Sequence, residues 1–310
     1  MKTNPYFCQE VKKETTMYPD TFKEKYMNPY TDFGFKTLFG TPVNKDLLIS
    51  FLNSLLHEEQ HIVDITYLNA EHLGTFESER KAVFDVYCEN DKGEKFIVEM
   101  QKAAQRFFKD RSVFYATFPI REQAKRGDWQ FELKAVYTIG ILNFIFDEGR
   151  GNEDYYHHEI KLMDIHTKQV FFDKLNFIYL EMPKFRKTAD ELVTMHDKWM
   201  FTLRNLSSLL ERPAALQERV FKKLFRAAEI ARFTPQQASE YEESLKIYRD
   251  LNNVIYTAEW KGYEKGKVEG LEEGRMKGLR EIAAKLKQNG QKLAAIAELT
   301  GLSEKEIEQL

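Results

Sequence analysis

Ala82-Val83-Phe84-Asp85-Val86-Tyr87-Cys88-Glu89-Asn90-Asp91-Lys92-Gly93-Glu94-Lys95-Phe96-Ile97-Val98-Glu99-Met100-Gln101 reads as two strands around a turn. Both runs are rich in β-branched and aromatic residues, and Asn90 to Gly93 is turn chemistry. If Asp91-Lys92-Gly93 forms a three-residue loop, with Gly93 in the left-handed position of a G1 bulge, residue 90 pairs with residue 94. Asp85 then lies directly opposite Glu99, and Gln101 is a diagonal neighbour on the same face. Two facing carboxylates repel, which a sheet avoids unless a cation sits between them. A solvated sheet face is the other reading, but Val83, Tyr87 and Ile97 share that face and call for cover. The stretch therefore predicts a divalent-metal site built from Asp85, Glu99 and the backbone carbonyl of Met100. These are oxygen ligands suited to Mg²⁺ or Mn²⁺.

Outward from the hairpin, the pattern predicts alternating helices and strands. Phe35, Leu38 and Phe39 have helical spacing, with Thr31 or Asp32 as cap and Gly40 as stop. Asn44 or Lys45 through Leu56 is an amphipathic helix with Leu47, Leu48, Phe51, Leu52 and Leu55 on one face. Strands are predicted near Ile62–Asn69, Leu133–Phe146, Tyr155–Ile165 and Asn176–Met182, and a helix kinked at Pro119 over Ala103–Arg126. The fold class is α/β, an αβββαβ core with a mixed sheet followed by an all-helical C-terminal region. The predicted organisation is a loosely attached leader over 1–27, a core over 28–187, a helical region over 188–260 and a tail over 261–310. In the helical region Pro213 is expected in the first turn of one helix, and Thr234-Pro235 at the opening of the next.

The tail carries Gly262, Gly266, Gly270, Gly274 and Gly278 at a period of four among mixed charges. Glycine inside a helix costs about 1 kcal/mol relative to alanine. Five of them fit either a helix held close to a second helix, giving a homodimer, or a flexible tether. The end of the chain reads as helix, Gly301 turn and a helix capped by Ser303.

At 43% hydrophobic and 31% charged residues, the composition is that of a globular chain with a sizeable core. Formal net charge is −3, so a nucleic-acid surface would have to be local. Such a local excess exists: Lys102, Arg106, Lys109, Arg111, Arg121, Lys125 and Arg126 stand against Asp110 and Glu122 within 25 residues. Either this is a solvated face, or Lys102, Arg106, Lys109 and Arg111 contact DNA phosphates beside the site. Cys8 and Cys88 read as free thiols of a cytoplasmic protein, and no run approaches the ~18 apolar residues of a membrane span. Glu77 and Glu79 receive no role. His157 and His158 lack ligand spacing and read as ordinary strand residues.

Asp85 followed across a hairpin by Glu-x-Gln resembles the sparse metal signature of restriction-endonuclease-type enzymes, with Gln101 where Lys is usual. Together with Asp32-Phe33-Gly34-Phe35-Lys36-Thr37-Leu38-Phe39, Phe84-Asp85-Val86-Tyr87, Ile97-Val98-Glu99-Met100-Gln101, Arg111, Tyr115 and the glycine-spaced tail, it resembles the PD-(D/E)xK nuclease family transposases. These are the recombination-promoting nucleases of bacteria, in which Gln at this position is usual. The resemblance implies a restriction-endonuclease-like fold and Mg²⁺-dependent DNA cleavage, with Asp85, Glu99 and Gln101 in the site. Asp32 is a further candidate to hold a metal-bound water, and Lys36 to supply the charge that Gln101 lacks. Their i, i+4 spacing also fits a simple surface ion pair. The alternative is a DNA-binding or assembly protein that keeps the fold without catalysis.

Overall fold

A computed structural model describes residues 24–56, 60–72, 82–124, 130–146 and 153–310. Cys8, Glu77, Glu79, Lys125, Arg126 and residues 1–23 of the leader lie outside the described residues. The chain forms two compact units, Met1–Tyr248 and Arg249–Leu310.

The first unit opens with α1 (Asp32–Phe39), capped by the Thr31 hydroxyl accepting from the Gly34 amide, and α2 (Lys45–Leu55). The five leucine and phenylalanine positions expected on the inner face of α2 are all buried. Strands β1 (Ile65–Tyr67), β4 (Val86–Asn90), β5 (Lys95–Gln101), β6 (Val136–Leu142), β7 (His157–Met163) and β8 (Val170–Glu181) make one mixed sheet in the order β1-β4-β5-β6-β8-β7. The central pairs β5/β6 and β6/β8 are parallel, and the outer pairs are antiparallel. A separate ribbon joins β2 (Glu71–His72) and β3 (Ala82–Val83). Helix α3 (Phe108–Glu122), with Pro119 inside it, crosses between β5 and β6.

Alternation along the strands divides the core. Val86, Cys88, Phe96, Val98, Met100, Ile139, Ile141, Ile178 and Leu180 face the helical layer of α1, α2, α4 (Met195–Asn205) and α5 (Arg219–Ala228). Trp199 of α4 anchors that layer, packed on Phe39, Phe51 and Phe221, with its indole N–H donating to Ser50 Oγ at 3.1 Å. Tyr87, Ile97, Val136, Leu142, Phe177 and Tyr179 face α3. The result is an α/β/α sandwich with the residues of interest on the α3 side.

Several expectations shift at their edges. Tyr26 and Met27, placed by sequence in the leader, are buried, and Met27 N–H bonds Ala228 O at 2.9 Å. Helix α3 begins at Phe108, not Ala103, so Lys102 and Arg106 lie on the connection before it. Strand β8 begins six residues early, at Val170, because its exposed first half pairs with β7 beyond the buried sheet. Pro213 opens a turn closed by Leu216 N–H to Pro213 O, and α5 starts only at Arg219, where the apolar spacing of Phe221, Leu224 and Phe225 begins. Cys88 is a buried free thiol, its pKa pushed up to about 12 by burial.

Helix α6 (Pro235–Gln288) runs unbroken through all five spaced glycines, as the helical reading of the tail requires. In the second unit Ala283, Ile296, Leu302 and Ile307 form a small core with α7 (Leu293–Thr300) and α8 (Glu304–Glu308). Gly301, at φ 72°, makes the left-handed turn between those two helices. No described helix is long and apolar enough to cross a membrane.

Candidate active site

The hairpin adopts the register its turn chemistry sets. Gly93 has φ 80°, Asn90 Oδ1 accepts the Lys92 and Glu94 amides at 3.0 and 2.9 Å, and Val86 pairs with Val98. The ladder ends there, because Phe84 N–H turns away to Ala70 O at 2.9 Å. Asp85 is therefore not a strand residue, as the sequence suggested, but sits at a bend just before the start of β4. Its Oδ2 accepts the Met100 amide at 2.8 Å, taking the place of the missing partner strand. The N–H and C=O of one strand residue leave by the same edge, so the Met100 carbonyl also turns toward Asp85.

Glu99 and Gln101 are both buried on the α3 side. Gln101 Nε2 donates to Glu99 Oε2 at 2.7 Å, while Glu99 Oε1 has no hydrogen-bond partner among the described residues. Arg111 Nη2 donates to Gln101 Oε1, fixing the amide's orientation. Arg111 thus belongs to the site itself rather than only to an outer phosphate surface, and it brings a positive charge to the position where Gln101 brings none. Tyr115, one turn further along α3, is close enough for Glu99 and Asp85 to raise its phenol pKa beyond what burial does, with Arg111 opposing.

Burial raises the Asp85 pKa first; the Met100 amide opposes it, Asp32 adds to it, and Lys36 and Lys102 oppose it. Glu99 is raised by burial and then by Asp85, against Arg111, the Asp85 backbone amide and Gln101. Asp85 thus raises Glu99, as one carboxyl beside another does, while Arg111 opposes it. Asp32 and Lys36 form an ion pair at 3.1 Å, both half-exposed, yet both lie within electrostatic reach of Asp85. The structure brings α1 to the site as well as pairing these two residues. What fixes α1 there is Gly34: a Cβ on it would lie 2.2 Å from the Asn28 carbonyl oxygen.

Around this centre, Lys102 is half-buried, and Arg106 and Lys109 are exposed, Lys109 standing 5.0 Å over the Phe146 ring. Gly140, level with Glu99 on the next strand, lets α3 press down: a Cβ there would meet Tyr179 at 3.0 Å and Phe108 at 3.4 Å. Ser112 Oγ and Tyr179 Oη, 2.7 Å apart, tie α3 to β8. The sequence reading missed a second buried cluster: Glu181, in register with Gln101 two strands away, bonds Lys184 Nζ and His158 Nε2. Only the apolar run before Glu181 hinted that this carboxylate would be inside.

The residues present fit a hard cation. A buried carboxylate oxygen without a donor among the described residues, a second carboxylate near it and a carbonyl turned toward that second carboxylate form an all-oxygen donor set. Among the described residues there is no group of three His, Cys, Asp or Glu side chains able to hold a metal, so water and substrate oxygens would complete the shell. The sequence model of the PD-(D/E)XK nuclease family transposases matches residues 29–258. The chain belongs to that family. Comparison with curated proteins and with solved structures gives no match. Membership in the PD-(D/E)XK family points to a nuclease-type function with DNA as the substrate class.

Proposed function

We propose that this protein is a Mg²⁺- or Mn²⁺-dependent DNA endonuclease of the cytoplasm, acting through Asp85, Glu99 and Gln101. The observation that carries the reading is the buried Glu99, its pKa raised by burial and by the half-buried Asp85, with an Oε1 that has no donor among the described residues. Asp85 and Glu99 would hold the cation with the Met100 carbonyl, and the cation supplies water activation and neutralises charge developing on phosphorus oxygens. The protein's own residues do the positioning. Gln101 fixes Glu99 Oε2 and leaves Oε1 to the cation, and Arg111 fixes Gln101. Lys36 and Lys102 hold positive charge beside Asp85, where a scissile phosphate would enter, and Asp32 would hold a metal-bound water. Lys102, Arg106 and Lys109, with Arg111 behind them, form the phosphate-contacting rim.

The test is nicking of supercoiled DNA by wild type, Asp85→Ala and Glu99→Ala with Mg²⁺ or with chelator. We expect nicking by wild type with metal only, and none by either variant. Robust cleavage by a purified variant would overturn the reading. Tight DNA binding with no cleavage by wild type would support the non-catalytic alternative.

We further propose that the glycine-spaced part of α6 pairs with its copy in a homodimer. Among the described residues a Cβ at any of the five glycines would meet nothing within 4 Å, so that stripe is open to close approach by a second helix.

A further inference from the structure

The connection from Gln101 to α3 carries an apolar ring where the charge pattern alone would not put one. Phe107, the residue before the first turn of α3, is 64% exposed. Among the described residues its ring contact is the Arg106 guanidinium, 5.2 Å from the centroid. Its carbonyl accepts the Arg111 amide at 3.0 Å, placing Phe107 one helical turn before the arginine that holds Gln101. The start of the connection is fixed, since Asn143 N–H donates to Gln101 O at 2.9 Å. An exposed phenylalanine on an anchored segment, between Lys102 and Arg106 on one side and Lys109 on the other, combines a flat apolar face with charges for a backbone.

We propose that Phe107 stacks on an unpaired base of the DNA next to the phosphate held at the Asp85–Glu99 site, so that the preferred substrate has unpaired bases there. This rests on the nuclease reading for the position of the phosphate. Charge selects the ligand: three flexible cations fit a phosphodiester backbone, and every base offers a π-face to an aromatic ring. A fully paired duplex hides those faces. Buried partners do not explain the ring either, since most of its surface meets solvent. Phe108, by contrast, is buried against Phe144 and Tyr179 and serves the core.

Anisotropy titrations in chelator, without cleavage, test the proposal with labelled oligonucleotides of one length: single-stranded, gapped duplex and full duplex. Wild type should favour the two substrates with unpaired bases. Phe107→Ala should bind those two about tenfold more weakly with duplex affinity unchanged, and Phe107→Tyr should restore the preference where Phe107→Leu does not. Equal affinity of Phe107→Ala and wild type for every substrate, a loss shared equally by duplex, or rescue by leucine would overturn it. Failure of wild type to bind any DNA would sink the nuclease reading as well, whereas a flat Phe107 series with normal cleavage would sink this proposal alone.

Discussion

Two carboxyl groups and one amide carry most of the chemistry at the residue scale. Asp85 and Glu99 both have raised pKa values in the folded protein, through burial first, with Asp32 adding to the rise at Asp85 and Asp85 to that at Glu99. Between the ordinary carboxylate range and those raised values, the folded protein holds more protons than the unfolded chain. The pair therefore favours folding at acidic pH and opposes it as pH rises through the raised values. Without metal, Glu99→Gln should melt a few degrees above wild type near about pH 8, each kcal/mol moving Tm by roughly 2–4 °C, and the gap should close toward about pH 5. Added Mg²⁺ should raise the Tm of wild type and leave that of Glu99→Gln nearly unchanged. Calorimetry at the two pH values checks both. Gly34→Ala is the structural counterpart, since its methyl would collide with a backbone carbonyl rather than a movable side chain. Overpacking of this kind costs about 1–3 kcal/mol or more, and denaturant unfolding would report it. The hairpin register was legible in the sequence because turn chemistry sets it, and Val86 does pair with Val98 as Gly93 requires. The bend at Asp85 was not, because it depends on Phe84 finding Ala70, a contact no local pattern encodes.

Among the elements, α3 and the connection before it do two jobs. Arg111, Ser112 and Phe108 fix it to the sheet, while Arg106 and Lys109 look outward. Neutralising Arg106 and Lys109 together should weaken binding to all DNA sequences alike and reduce the salt slope by about 2, near 0.9 per phosphate contact. An unchanged slope would make these charges merely solvated. The helices α1 and α2 were readable from apolar spacing, since each buries one side of a regular pattern, and β6 from its continuous apolar run, since it is buried on both faces. Arg111 was read as a phosphate contact in a charged run. Its inward turn to Gln101 follows from the close approach that Gly140 allows between α3 and the sheet, which only the packed fold reveals.

For the whole molecule, the open glycine stripe of α6 makes oligomeric state the first question. Sedimentation of the full chain should give a dimer, and a chain ending at Glu259 a monomer, over the same concentrations. Monomers in both cases would end the pairing proposal. That continuous helix was only half legible: period-four glycines favoured a helix but left a tether open, because each glycine costs helix propensity. Everything proposed about catalysis rests on Asp85 and Glu99 sharing one cation, and a Mn²⁺ titration followed by electron paramagnetic resonance tests that most directly. Wild type should bind one ion that Mg²⁺ displaces, and Asp85→Asn and Glu99→Gln should each lose it. Undiminished Mn²⁺ binding by both variants, or no binding by wild type, would contradict it.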